Sequence, residues 1–147
     1  MKLLRLILLL VRRNLTYLDN NPILLSPLKI QVSPNKWFIL NLNHFRNTHY
    51  QILNKAKINY KLLMKEQIER LPEYSKIEIK YILYPANKRL TDIGNVLSIH
   101  QKFFEDALVE LGKIKGDTYI EIPKVIFKFG HIDKLNPRVE IEICKLL

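Results

Sequence analysis

A single cysteine, Cys144, leaves this 147-residue chain with no intrachain disulfide and no Cys-rich zinc site, and it suits a reducing cytoplasm. Glycine is scarce too. The four present form no phosphate-cradling Gly-rich loop and no nucleophile elbow. Four scattered histidines argue against zinc, with His44 and His49 five residues apart and poorly spaced for a helical pair. Long apolar runs are missing as well. Leu6 to Val11 is too short to span a bilayer, which takes ~20 residues. Arg5 and the lack of a small-residue cleavage site argue against a signal peptide. The segment is expected to pack on the domain or on a partner, with no role for a membrane.

Positive charge is what the chain has in excess. The formal charge is +10, and it is unevenly placed. Residues 1–34 carry five bases and one acid, and residues 35–71 carry seven bases and two acids. Residues 72–147 are nearly balanced, with twelve bases and eleven acids. The first half therefore attracts polyanions such as phosphate backbones. The second half holds carboxylates that could bind a divalent cation. An AT-rich genome also enriches lysine, so charge alone does not name a partner.

Periodicity outlines one domain. Pro22, Pro27 and Pro34 exclude a long helix over residues 20–35, leaving 1–34 as an extension ahead of a domain over 35–147. A short strand is possible over Leu28–Val32, and a firmer one over Trp37–Leu42, before a polar loop from Asn43 to Asn47. Leu53, Ala56, Tyr60, Leu63 and Ile68 mark a first long helix that ends before Pro72. Ile77, Ile79, Tyr81 and Leu83 alternate as a half-buried strand. A second helix runs from near Asn95 to Leu111, with Val96, Ile99, Phe103, Ala107 and Leu111 as its stripe. Strands over Ile120–Phe129 and Val139–Ile143 follow, joined by a hairpin. The order β-α-β-α-β-β predicts an α+β domain with two helices on a small mixed sheet.

Acids gather around the second helix. Asp92 precedes it, Asp106 lies on it four residues after Lys102, and Asp117 follows it beside Gly116. Taken alone, Asp92 reads as an N-cap, Asp117 as a turn acid, and Lys102 with Asp106 as a surface ion pair. Taken together, Asp92 and Asp117 stand at element ends from which both could reach one Mg²⁺ ion. Lys57, Lys61 and Lys65 recur at four-residue spacing and form one basic helix face.

The run Asp92-Ile93-Gly94-Asn95, Lys102, Asp106-Ala107-Leu108 and Gly112 to Asp117 resembles the RusA family of Holliday-junction resolvases, between about Lys36 and Ile143. That family carries Asp-x-Asp-Asn, a helix with Lys and Asp-Ala-Leu, and Gly-x-x-x-Asp-Asp. Here Gly94 and Gly116 stand where two of the acids belong, and Lys102 and Asp106 lie about one helical turn farther along. The resemblance implies a phage-encoded endodeoxyribonuclease that cuts four-way junctions as a homodimer in the host cytoplasm, with Mg²⁺ or Mn²⁺. It makes Asp92, Asp106 and Asp117 metal ligands and Lys102 a catalytic cation beside them. Arg46, Lys55 and the Lys57, Lys61, Lys65 face are the expected DNA contacts, with Lys88 and Arg89 in the loop that delivers Asp92. Two alternatives stay open: a DNA-binding relative disabled by Gly94, and a basic RNA-binding or assembly protein whose acids are only surface charges.

Overall fold

The computed structural model describes residues 21–147, and the expectations for Met1 to Asn20 lie outside them. Six strands and three helices follow one another along the described residues: β1 (Ile23–Ser26), β2 (Lys29–Ser33), β3 (Lys36–Ile39), α1 (Leu42–Asn47), α2 (Tyr50–Glu69), β4 (Ile77–Tyr84), α3 (Ile93–Glu110), β5 (Lys124–Phe129) and β6 (Arg138–Lys145). The fold is α+β, as the periodicity indicates. A four-stranded mixed sheet runs in the order β1-β6-β4-β5, and β2 with β3 makes a separate two-stranded ribbon. Among the described residues no helix is long and apolar enough to cross a membrane.

Alternation builds the central strand. Ile77, Ile79, Tyr81 and Leu83 are buried against the helices, while Glu78, Lys80, Ile82 and Tyr84 point the other way. In β6, Val139, Ile141 and Ile143 repeat the pattern in register with β4. On α2, Ala56, Tyr60, Met64 and Ile68 recur every fourth residue and are fully buried. Met64, not the exposed Leu63, belongs to that stripe. On α3 the buried face is broader than one stripe, taking in Leu97, Ile99, His100, Phe103, Phe104, Ala107 and Leu108. Gly112 ends this helix at φ 75°, a left-handed cap for which a side chain would be strained.

Phe103 joins the layers. Its ring stacks on Phe38 of β3 at 5.7 Å and meets Tyr60 of α2 and Phe45 of α1 edge-on at 5.6 and 6.5 Å. Beneath α3 the Ser26 hydroxyl is 2.7 Å from both the Tyr60 hydroxyl and His100 Nδ1. Burial holds His100 neutral, with its pKa lowered to about 3.

Several expectations need correction. The domain starts by Ile23, not at residue 35, because β1 pairs with β6 and Leu24, Ile30 and Val32 are core residues. The strand expected through Leu42 stops at Ile39. The supposed polar loop is α1, whose N-cap Asn41 accepts a hydrogen bond from His44 N at 2.7 Å. The strand expected from Ile120 starts at Lys124. No hairpin joins β5 and β6: β5 lies parallel to β4 on one side, and β6 lies antiparallel to β4 on the other. The connection turns at Gly130, where any Cβ would sit 2.5 Å from the Tyr84 ring.

The two edges of the sheet differ. On β1, Leu25 N donates to Gln67 Oε1 at 2.8 Å and Leu25 O accepts from Gln67 Nε2 at 3.0 Å, so a side chain of α2 blocks that edge. On β5 no strand among the described residues pairs with the outer edge. Exposed Tyr119, Ile120, Phe129 and Ile132 flank its two ends.

Candidate active site

Three carboxylates lie in the region of the C-terminal end of α3 without converging into a metal group. Glu105 and Asp106 are neighbours on the helix, and Asp117 approaches both from the following loop closely enough for its charge to act on each. That loop is firmly held. Tyr74 N donates to Lys113 O at 2.7 Å, Lys113 Nζ donates to Leu71 O at 2.7 Å, and Ile77 N donates to Glu121 O at 2.8 Å. Ile114 and Ile122 anchor it in the core. Asp117 itself stays exposed.

Burial governs the electrostatics here, with the neighbouring acids adding to it. Burial pushes the Glu105 carboxyl up to about 7; a Gln101 hydrogen bond opposes this, while Asp117 and Asp106 add repulsion. Tyr81 of β4 faces Glu105 from below without a well-formed hydrogen bond at its hydroxyl. Burial also raises Asp106, against the pull of Lys57 and Lys102 and with a push from Asp117 and Glu110. Glu105 belongs to no family motif. The available sign is the polar row Ser98, Gln101, Glu105 on one face of α3.

Glu105 gives a testable pH dependence. Its raised pKa means stability is fully present below about 4.5 and is lost as pH rises through about 7. His100 works oppositely, losing stability as pH falls from 6.5 toward about 3. Glu105→Gln removes the loss on the alkaline side. It should stabilise the protein at pH 8 by about 1–2 kcal/mol, discounted for water reaching the carboxyl, and change little at pH 4.5. Urea melts at the two pH values check this, and an equal effect at both would contradict it.

Asp92 stands elsewhere. It is the N-cap of α3 and accepts a hydrogen bond from Gly94 N at 2.9 Å. Fourteen helical positions separate it from Asp106, about 21 Å at 1.5 Å per residue. Asp92 and Asp117 of one chain therefore do not hold one cation, contrary to the expected pairing. Gly94 is in the first turn of α3, not in an extended segment, and a Cβ there would sit 3.3 Å from Asp92 Oδ1, against the carboxylate that already accepts the Gly94 N–H.

The expected basic face also turns out differently. Lys61 Nζ lies 2.6 Å from Glu110, and Lys65 pairs with Glu69 at 3.7 Å. Lys57 lines a groove of about 60 Å³ between α2 and α3 with Lys61, Phe103, Asp106 and Glu110. Lys57 and Lys61 thus face the acids of α3, while Lys65 pairs within α2. Lys102 makes no contact-distance ion pair with Asp106 among the described residues; its ammonium lies 5.7 Å from the Phe45 ring. Arg46, Lys55, Lys88 and Arg89 are all exposed, the last two in the loop leading to Asp92.

Mg²⁺ usually takes one or two carboxylates together with water and phosphate oxygens. Among the described residues no three His, Cys, Asp or Glu side chains converge as a ready-made metal group. No protein-family model matches the chain, and no curated protein matches it.

Proposed function

We propose that the chain is a Mg²⁺-dependent endodeoxyribonuclease acting on branched DNA, with each active site shared between two copies. The observation that carries this reading is the group Glu105, Asp106 and Asp117 beside Lys57 and Lys102, on a chain of net charge +10. Carboxyls whose ionisation is opposed by burial and by neighbouring acids, as at Glu105 and Asp106, suit a cation, and the flanking lysines suit the phosphate it serves. Asp106 and Asp117 would hold Mg²⁺ or Mn²⁺. Bound there, the cation would neutralise charge on the phosphate and acidify water. Lys102 and Lys57 would balance charge on the phosphodiester. Glu105, titrating near neutrality, would accept a proton at its carboxylate.

The topology supports this reading of a dimer. Because β4 and β5 are parallel and α3 connects them, α3 runs antiparallel to both strands. Two copies related by a two-fold axis at their open β5 edges would set their β5 strands antiparallel. The start of each α3 would then lie at the same end as the finish of the other. Asp92, with Lys88 and Arg89, would be carried toward the partner's Asp106 and Asp117. Cutting a junction symmetrically needs two sites, and such a dimer has two.

The direct assay uses a labelled four-way junction and a matched linear duplex at equal salt. Cleavage of the junction with Mg²⁺ and none with chelator is expected. Equal affinity for junction and duplex without cleavage would instead favour phosphate attraction alone, the reading of a basic binding protein.

A further inference from the structure

Lys29, Lys36 and Arg46, in the most basic stretch of the sequence, have no place in the acidic site. From Asn20 to Lys65 the sequence holds seven Lys and Arg residues and no Asp or Glu. At the corner where β3, α1 and the start of α2 meet, a cleft of about 320 Å³ opens, lined by Lys36, Trp37, Phe38, His44, Asn47 and His49 among others. That is the small end of the ~300–1,000 Å³ range of ligand clefts. Its wall carries the chain's single tryptophan, Trp37, which is 45% exposed.

Trp37 is not exposed by accident of fraying. The β2–β3 ribbon pairs Gln31 with Trp37 and Ile30 with Phe38, so Phe38 is buried while Trp37 faces out. The Lys29 ammonium sits 4.6 Å from the Trp37 ring centroid. His49, also in the lining, has its ring 4.6 Å from that of Tyr50, which is 64% exposed. His44 Nδ1 accepts from Ile39 N at 2.7 Å and its ring stacks on Phe38 at 5.0 Å, which fixes the floor. Asn47 contributes an amide able to donate to and accept from a base edge. Exposed aromatic faces among cations, without competing acids, are what single-stranded nucleic acids use.

From this we infer that the Trp37 cleft binds an unpaired base of single-stranded DNA, stacking the base on Trp37 while Lys29, Lys36 and Arg46 attract the adjoining phosphates. Only the ligand class rests on the nuclease reading; the cleft needs neither cation nor cleavage. In a branched substrate, such a cleft would capture a base unstacked near the branch, apart from the acidic site.

Trp37 reports on its own cleft. The full chain, in chelator, is titrated with a short oligothymidylate, with its duplex form, with an abasic strand of equal charge, and with oligouridylate. Saturable quenching by oligothymidylate, and weak or no quenching by duplex and abasic strands, is expected. Preference for oligothymidylate over oligouridylate would assign DNA; the reverse would overturn the DNA assignment. Trp37→Ala, followed by anisotropy of a labelled strand, should weaken binding about ten- to a hundredfold, and Trp37→Phe should recover part of the loss. Circular dichroism guards against misfolding. Equal binding of abasic and thymidylate strands, or unchanged affinity in Trp37→Ala, would refute stacking. Emission that responds to protein concentration and not to oligonucleotide would instead give the cleft to a second copy. Binding that survives in Asp117→Asn separates this result from failure of the nuclease reading.

Discussion

Asp92→Asn and Asp117→Asn should each lower junction cleavage on the order of a thousandfold, equivalent to about 4 kcal/mol, and leave the fold intact. The structure explains why neither change should disturb folding. Asn is as good an N-cap as Asp, so the hydrogen bond from Gly94 N survives at position 92. Asp117 is exposed on a loop held by other residues. Each substitution removes one negative charge facing phosphate, so junction affinity measured in chelator should hold or rise. Undiminished cleavage by either variant would remove that residue from the site. Loss of binding together with cleavage would indicate damage beyond the metal.

The largest expected effect on stability belongs to Phe103. Its ring touches residues from β3, α1 and α2 while seated on α3, so it links the ribbon and two helices to the element bearing the acids. It is 2% exposed, and truncation leaves a cavity that rigid neighbours on three elements cannot fill. Phe103→Ala should cost about 3–5 kcal/mol, a large share of the ~5–15 kcal/mol typical of a domain. Urea unfolding should show a lowered midpoint with an unchanged slope. A loss under about 1 kcal/mol would mean that the ribbon and helices are held independently.

Elements with a strong repeating pattern were legible in the sequence. The alternation of Ile77, Ile79, Tyr81 and Leu83 makes β4 plain, and the four-residue recurrence of Ala56, Tyr60 and Ile68 makes α2 plain. Short elements were less so. β1 has four residues between Pro22 and Pro27, too few to show a period, and only its pairing with β6 makes it part of the sheet. α1 has six, fixed by the Asn41 cap and by the packing of His44 and Phe45. Strand neighbours were hidden as well: β5 reads as a strand from its residues, but its parallel pairing with β4 depends on how α3 crosses the sheet.

The site was legible by residue more than by arrangement. Asp117 is near enough to Asp106 for its charge to act there, but Asp92 stands apart, because 18 residues of helix act as a rigid spacer. The lysine stripe of α2 is visible in sequence, yet what it faces depends on tertiary packing against α3. Glu105 ranks in the sequence below the aspartates as a ligand, because a glutamate on a helix is ordinarily a solvated one.

The shared active site is the central claim, and mixing two inactive variants tests it most directly. Asp92→Asn and Asp117→Asn proteins are unfolded and refolded together so that subunits exchange, then assayed on the labelled junction with Mg²⁺. A mixed dimer keeps one site whole, with Asp117 from one chain and Asp92 from the other, and its second site lacks both. The account predicts that cleavage returns in the mixture, mainly as single-strand nicks, while each variant refolded alone stays inactive. A mixture as inactive as its two components, with mixed dimers verified, would contradict it.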